Sequence, residues 1–189
     1  MNTRIIKMLS ILLLALSTLL PAAYGQNPEA YSAVAMGVGG SVGGKTVQFD
    51  FKIDSYTSDE ELDTLAQLLK EKGQDSLRQA LEKKDIGRIN PSGSVGNQLA
   101  VARKRQAGAD TIITVVTARI IDFPEAFRSG RSMNYPFGFL QVKLNAKGEG
   151  SGKIFPAASI RFNKKKGQYE IESYGNAQYI RAVNVRLQK

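Results

Sequence analysis

Residues 45–53 read KTVQFDFKI, and their alternation is strict. Val47, Phe49, Phe51 and Ile53 fall on one side and Gln48, Asp50 and Lys52 on the other. A period of two with large apolar residues on one face specifies a half-buried strand. That reading bears on the residues just before it, Gly37–Thr46, which read GVGGSVGGKT. Gly39, Gly44, Lys45 and Thr46 match the phosphate-loop pattern by letter. A working phosphate loop follows a buried strand and opens a helix whose first amides face the phosphates. Here Lys45 and Thr46 lead into a strand. The match is read as accidental, no nucleotide or other cofactor is expected, and the glycines are taken as a connection into the first well-defined strand.

Toward the C-terminus the period changes after Asp54. Ser58-x-x-Glu61 is a capping-box pattern, Asp59, Glu60 and Glu61 fill the first turn, and Lys70 and Lys72 the last. Both ends thus complement the helix dipole. Leu62, Leu65, Leu68 and Leu69 form one face, and Gly73 is a suitable stop. A second short helix over about 75–84, with Leu77, Ala80 and Leu81 inward, completes a helical hairpin over about 58–84. Strands then dominate. Thr111–Ile121 is rich in β-branched residues, and a strand over Gln98–Arg105 precedes it. Phe137–Leu144, Gly152–Phe162, Tyr169–Tyr174 and Tyr179–Leu187 follow with short turns between them. The expected fold class is α+β: an antiparallel meander of about 7–8 strands, curled into a barrel- or sandwich-like form, with one inserted helical hairpin.

The N-terminus has the three-part layout of a secretory signal. Arg4 and Lys7 are basic, Met8–Leu20 is mostly apolar, and Ala23-Tyr24-Gly25 offers small residues before Gln26. The apolar core is short against the roughly 20 residues of a membrane span. The expected organisation is a signal peptide at 1–25, a Gly-rich segment at 26–44 and one domain at 45–189, located in the periplasm or outside the cell. Arg4 and Lys7 leave with the signal and no acid does. The balance of 26 basic against 17 acidic residues becomes 24 against 17, or +7. Such a chain suits anionic partners, an anionic surface or glycan among them, and the exported location argues against nucleic acid.

From Tyr56-Thr57-Ser58-Asp59-Glu60-Glu61 and Leu69–Leu77 (LKEKGQDSL), through GRINPSGSVGNQL, the YPFGFLQVKLNAKGEGSGK run and ESYGNAQYIRAVNVR, the chain resembles a family of uncharacterised exported bacterial proteins. The likeness runs from about residue 50 to the C-terminus. It implies export and a strand–helical hairpin–strand meander order, and no assigned activity.

The chain contains no histidine and no cysteine. Histidine-based triads, thiol nucleophiles and the usual zinc, haem and iron–sulfur ligand sets are thereby excluded, and no metal site is expected. Carboxylate chemistry remains. Asp122 and Glu125 share the loop 122–134 (DFPEAFRSGRSMN) and are the weak catalytic candidates, since glycoside hydrolysis needs two carboxyls across a cleft. The same loop and its exit supply the candidate ligand- or partner-binding residues Phe123, Phe127, Arg128, Arg131 and Tyr135. A second loop, Ile86–Asn97, is rich in turn formers. The aromatic residues of the strands either fill the core or line a cavity for a small apolar ligand. The leading expectation is a non-catalytic binding or interaction module, engaging an envelope protein or such a ligand. The alternatives are a carboxylate-dependent hydrolase of the cell envelope and a binder of anionic surfaces or glycans.

Overall fold

The computed structural model describes residues 27–39, 43–123, 134–174 and 179–188. The fold is α+β, as expected: ten antiparallel strands in one sheet curled into a half-barrel, with a single helical insertion. In chain order the elements are β1 (Glu29–Val38), β2 (Thr46–Ile53), α1 (Asp59–Leu81), β3 (Gly87–Pro91), β4 (Asn97–Gln98), β5 (Val101–Ala107) and β6 (Asp110–Thr117), followed by β7 (Phe137–Leu144), β8 (Glu149–Asn163), β9 (Gln168–Ser173) and β10 (Tyr179–Leu187). The order across the sheet is β4-β3-β2-β1-β10-β8-β7-β6-β5, with β9 on β8. Its first and last strands are consecutive in the chain. They meet at a corner where the Leu99 amide donates to the Gly87 carbonyl at 2.8 Å and the Ile86 amide to the Leu99 carbonyl at 3.0 Å.

Strand β2 is where its alternation puts it, with Phe49, Phe51 and Ile53 inward and almost fully buried. Two features depart from the sequence reading. The segment 26–44 carries β1, a ten-residue strand between β2 and β10, so it belongs to the sheet. The sheet is also more than a simple meander, because β10 returns to pair with β1 on one side and β8 on the other. Strand β8 makes room for this. Its first half pairs with β10 and its second half with β9 along the same edge, while β7 occupies the other.

Two apolar layers result. The interior of the half-barrel is filled by Tyr31, Phe49, Phe51, Ile113, Val115, Leu140, Val142, Ile154, Ile180 and Val185 with their neighbours. Tyr31 and Phe51 stand opposite each other in the β1–β2 ladder and stack at 4.7 Å between centroids. Outside, Leu65, Leu69, Leu77 and Leu81 of α1 cover Val101, Val116, Phe137, Phe139 and Ala158. This explains the unbroken β-branched run of β6: Val115 faces the interior and Val116 faces the helix. The candidate cavity aromatics are divided between these layers, Phe49 and Phe51 inside and Phe137 and Phe139 under α1.

The Ser58 hydroxyl caps α1 by accepting from the Glu61 amide at 3.2 Å. The helix breaks at Gly73, whose φ of 80° and ψ of −175° are not helical. A straight helix of this length would span about 35 Å. Lys84, beyond its end, instead contacts Glu61 in its first turn, so the chain folds back at Gly73.

Candidate functional site

The sequence-derived candidates do not gather into one site. Asp122 is exposed, while Phe123 is buried in the interior with its ring edge-on to Phe49 at 6.1 Å. Tyr135 is half-buried and packs edge-to-face on Tyr174 at 5.4 Å. Glu125, Phe127, Arg128 and Arg131 lie outside the described residues, as do the signal segment 1–25 and the Asp122–Glu125 geometry. Gly39 and Gly44, both at φ 78°, belong to the connection between β1 and β2, where the Gly37 amide donates to the Lys45 carbonyl at 2.9 Å. Thr46 then begins β2, so no helix follows the glycines. Among the described residues no group of three or more acidic side chains is placed to hold a metal ion.

The most connected polar cluster joins β1, β5 and the connection between β2 and α1, which the sequence keeps apart. The Glu29 carboxylate, at the start of β1, accepts from the Tyr31 hydroxyl at 2.5 Å and the Tyr56 hydroxyl at 2.6 Å on one oxygen. Its other oxygen accepts from the Lys104 ammonium of β5 at 2.6 Å, and Lys104 also lies over the Tyr56 ring at 5.6 Å. Burial pushes the Glu29 carboxyl up, but hydrogen bonds from Lys104, Tyr31 and Tyr56 pull it further down, so it rests below the ordinary carboxylate value. Burial, then the Glu29 carboxylate, pushes both tyrosine hydroxyls well above the usual phenol range. A carboxylate with three donors and a depressed pKa makes a poor proton acceptor. The cluster ties β1 to β5 across the curl of the sheet, next to the Thr57–Ala102 backbone bond of 2.8 Å.

An open polar cleft of about 300 Å³ lies elsewhere, between the end of α1, the β3–β4 turn and the segment after β6. Leu81, Glu82 and Lys84 form one wall, Arg88 and Val95–Gln98 a second, and Ala118 and Arg119 the third. The turn is firmly built. Its Ser94 amide donates to the Pro91 carbonyl at 3.0 Å, and the Asn97 side chain donates to the Ile120 carbonyl at 3.0 Å. Gly96 has φ 78°, and a Cβ there would stand 2.1 Å from Asn90 Oδ1, so only glycine fits. Val95 is held out at the rim with 88% of its surface exposed. Of the charged lining residues, Lys84 contacts Glu61, and Glu82 is bound to Arg78 at 3.0 Å. Among the described residues Arg88 and Arg119 have no acidic partner.

In the two basic runs 103–105 and 164–166, three of the six side chains are paired: Arg103 reaches Asp59 at 3.2 Å, Lys104 reaches Glu29, and Lys166 reaches Glu170 at 2.9 Å. Sequence reasoning missed Arg88 and Arg119, which lie 31 positions apart in an unremarkable setting. No family model, curated protein sequence or solved structure matches this chain.

Proposed function

We propose that the chain is an exported, non-catalytic binding module of the periplasm or cell exterior that takes an anionic group in the cleft beside the end of α1. The observation that carries this reading is the cleft's charge pattern, in which Lys84, Arg88 and Arg119 face it against Glu82 alone. The two arginines lack acidic partners among the described residues, and a guanidinium is suited to bidentate contact with carboxylate, sulfate or phosphate. The filled half-barrel supports a surface site, because Phe49, Phe51, Leu140 and Ile154 occupy the space an enclosed ligand would need. The basic balance of residues 26–189 agrees with an anionic partner.

The test uses residues 26–189 on heparin oligosaccharide and, separately, on anionic vesicles, each across a salt series. Arg88→Glu with Arg119→Glu should weaken binding by about tenfold or more. Charge reversal at Lys164 and Lys165, at the tip of the β8–β9 hairpin, should change it far less. Equal losses from the two variants would reduce the effect to overall charge and reject the cleft. Absence of retention on both probes at low salt would reject the whole reading. Which probe is retained tells a glycan anion from a lipid headgroup.

A further inference from the structure

A second concavity lies on the outer face of the half-barrel, over β2, β1 and β10. A regular antiparallel ladder presents a flat outer face, and here β10 departs from that regularity. Ala182 and Val185 both point into the core although they are three positions apart, so the strand carries one residue too many. The register shifts against β1 between Ser32 and Val34, and against β8 between Ala182 and Val185. Asn184 absorbs the excess at φ 52°, the one non-glycine with positive φ among the described residues. Bulges re-aim side chains and recur beside functional sites. This one forms the end of a groove of about 330 Å³.

We infer that this groove binds a polyhydroxylated ligand of the saccharide class. Its polar lining is Ser32, Gln48, Asp50, Asn184 and Arg186. Gln48, Asp50 and Asn184 make no side-chain hydrogen bond to another described residue. The Ser32 hydroxyl accepts from the Gln188 side-chain carboxamide at 2.5 Å, and Arg186 is only loosely placed against Glu149 at 3.9 Å. A carboxylate accepts from two adjacent hydroxyls, two carboxamides each donate and accept, and a guanidinium donates. That mixture matches a ring of hydroxyls, each of which is both donor and acceptor. The alternatives fit less well. An apolar ligand would meet only Ala33 and Val34, an anion would meet Asp50, and a metal would find one carboxylate. The groove is independent of the basic cleft, with which it shares no residue.

The experiment is an amide-detected NMR titration of ¹⁵N-labelled residues 26–189 with maltotriose, cellotriose and chitotriose, each to about 10 mM. At least one should give saturable shifts at Gln48, Asp50 and Val183–Arg186. Asp50→Ala and Asn184→Gly should each weaken that binding by about tenfold. Asn184→Gly keeps the left-handed backbone available and removes only the carboxamide, so it separates recognition from folding. Absence of shifts in the groove with all three sugars overturns the inference. So do shifts that neither variant alters. Arg88→Glu with Arg119→Glu should leave these titrations unchanged, so failure here and failure of the anion-binding cleft are read separately.

Discussion

At the scale of single residues, Glu29 carries more of the architecture than its position, fourth after the expected signal cleavage, suggests. One carboxylate holds two tyrosine hydroxyls and a lysine from β5. Removing its charge while keeping its shape, as in Glu29→Gln, leaves those donors poorly matched and should cost about 1.5 kcal/mol at neutral pH. The pH dependence has a definite sign. The folded pKa of Glu29 is below its ordinary value. Its contribution is therefore present in full above the unfolded carboxylate pKa and is lost as pH falls through the lower folded value. Urea unfolding at pH 7 and at successively lower pH should show the gap between parent and variant narrowing on the acid side. A gap that stays constant down to pH 3 would sink this account. Tyr31 and Tyr56 have raised folded values, so their contribution is complete below the unfolded phenol pKa of about 10. It declines as pH rises beyond that, so the stability gap between the parent and Tyr56→Phe should narrow on the alkaline side.

At the scale of elements, the glycines divide into two kinds with different costs. Gly73 breaks α1 at positive φ, yet nothing lies within 4 Å of where its Cβ would stand. Gly73→Ala should cost the backbone term alone, about 2 kcal/mol, because φ 80° with ψ −175° is a region essentially reserved for glycine. In β8 a Cβ on Gly152 would sit 2.0 Å from the Gln141 carbonyl oxygen and one on Gly150 1.9 Å from that of Lys143. Gly152→Ala must push β7 and β8 apart, and should cost about 3 kcal/mol. Denaturant midpoints of the two variants rank them, and equal losses would contradict the distinction. The glycines of GEGSG thus do more than turn a hairpin, which the sequence reading did not see. Other elements were legible for clear reasons. Strand β2 alternates large apolar with polar residues, and α1 carries an N-cap, an acidic first turn and a glycine break. Strand β1 escaped notice because its inward positions include Ala33, Ala35 and Gly37, whose side chains are too small to mark a period. Strand β3 was hidden by Gly87 and Pro91 at its ends. The bulge left one trace, since the inward residues of β10 run Ile180, Ala182 and then Val185 in place of 184. Arg88 and Arg119 left none, because only the packing of α1 against the β3–β4 turn brings their segments to one cleft.

At the scale of the whole molecule, β10 is the element on which the sheet's continuity depends. It stands between β1 and β8 and sends Ile180, Ala182 and Val185 into the shared interior. Without it the path separates into β4-β3-β2-β1 on one side and β8-β7-β6-β5, with β9 and α1, on the other. Among the described residues the polar links left between them would be the Leu99 corner, the Thr57–Ala102 and Asn97–Ile120 bonds and the Glu29–Lys104 pair. Each half would expose an unpaired edge and one wall of the apolar interior, a combination that small sheets do not sustain in water. A chain of residues 26–178 should therefore lack the dispersed amide spectrum and near-ultraviolet dichroism of residues 26–189. Adding a peptide of residues 179–189 should restore both at one-to-one stoichiometry, because the slot for β10 is flanked on each side by a strand with an open ladder. The restored complex should melt in one cooperative step. If residues 26–178 alone keep the native spectrum and melting temperature, the two halves hold together without β10, and the interior must be closed by the corner and the seam around Glu29 instead.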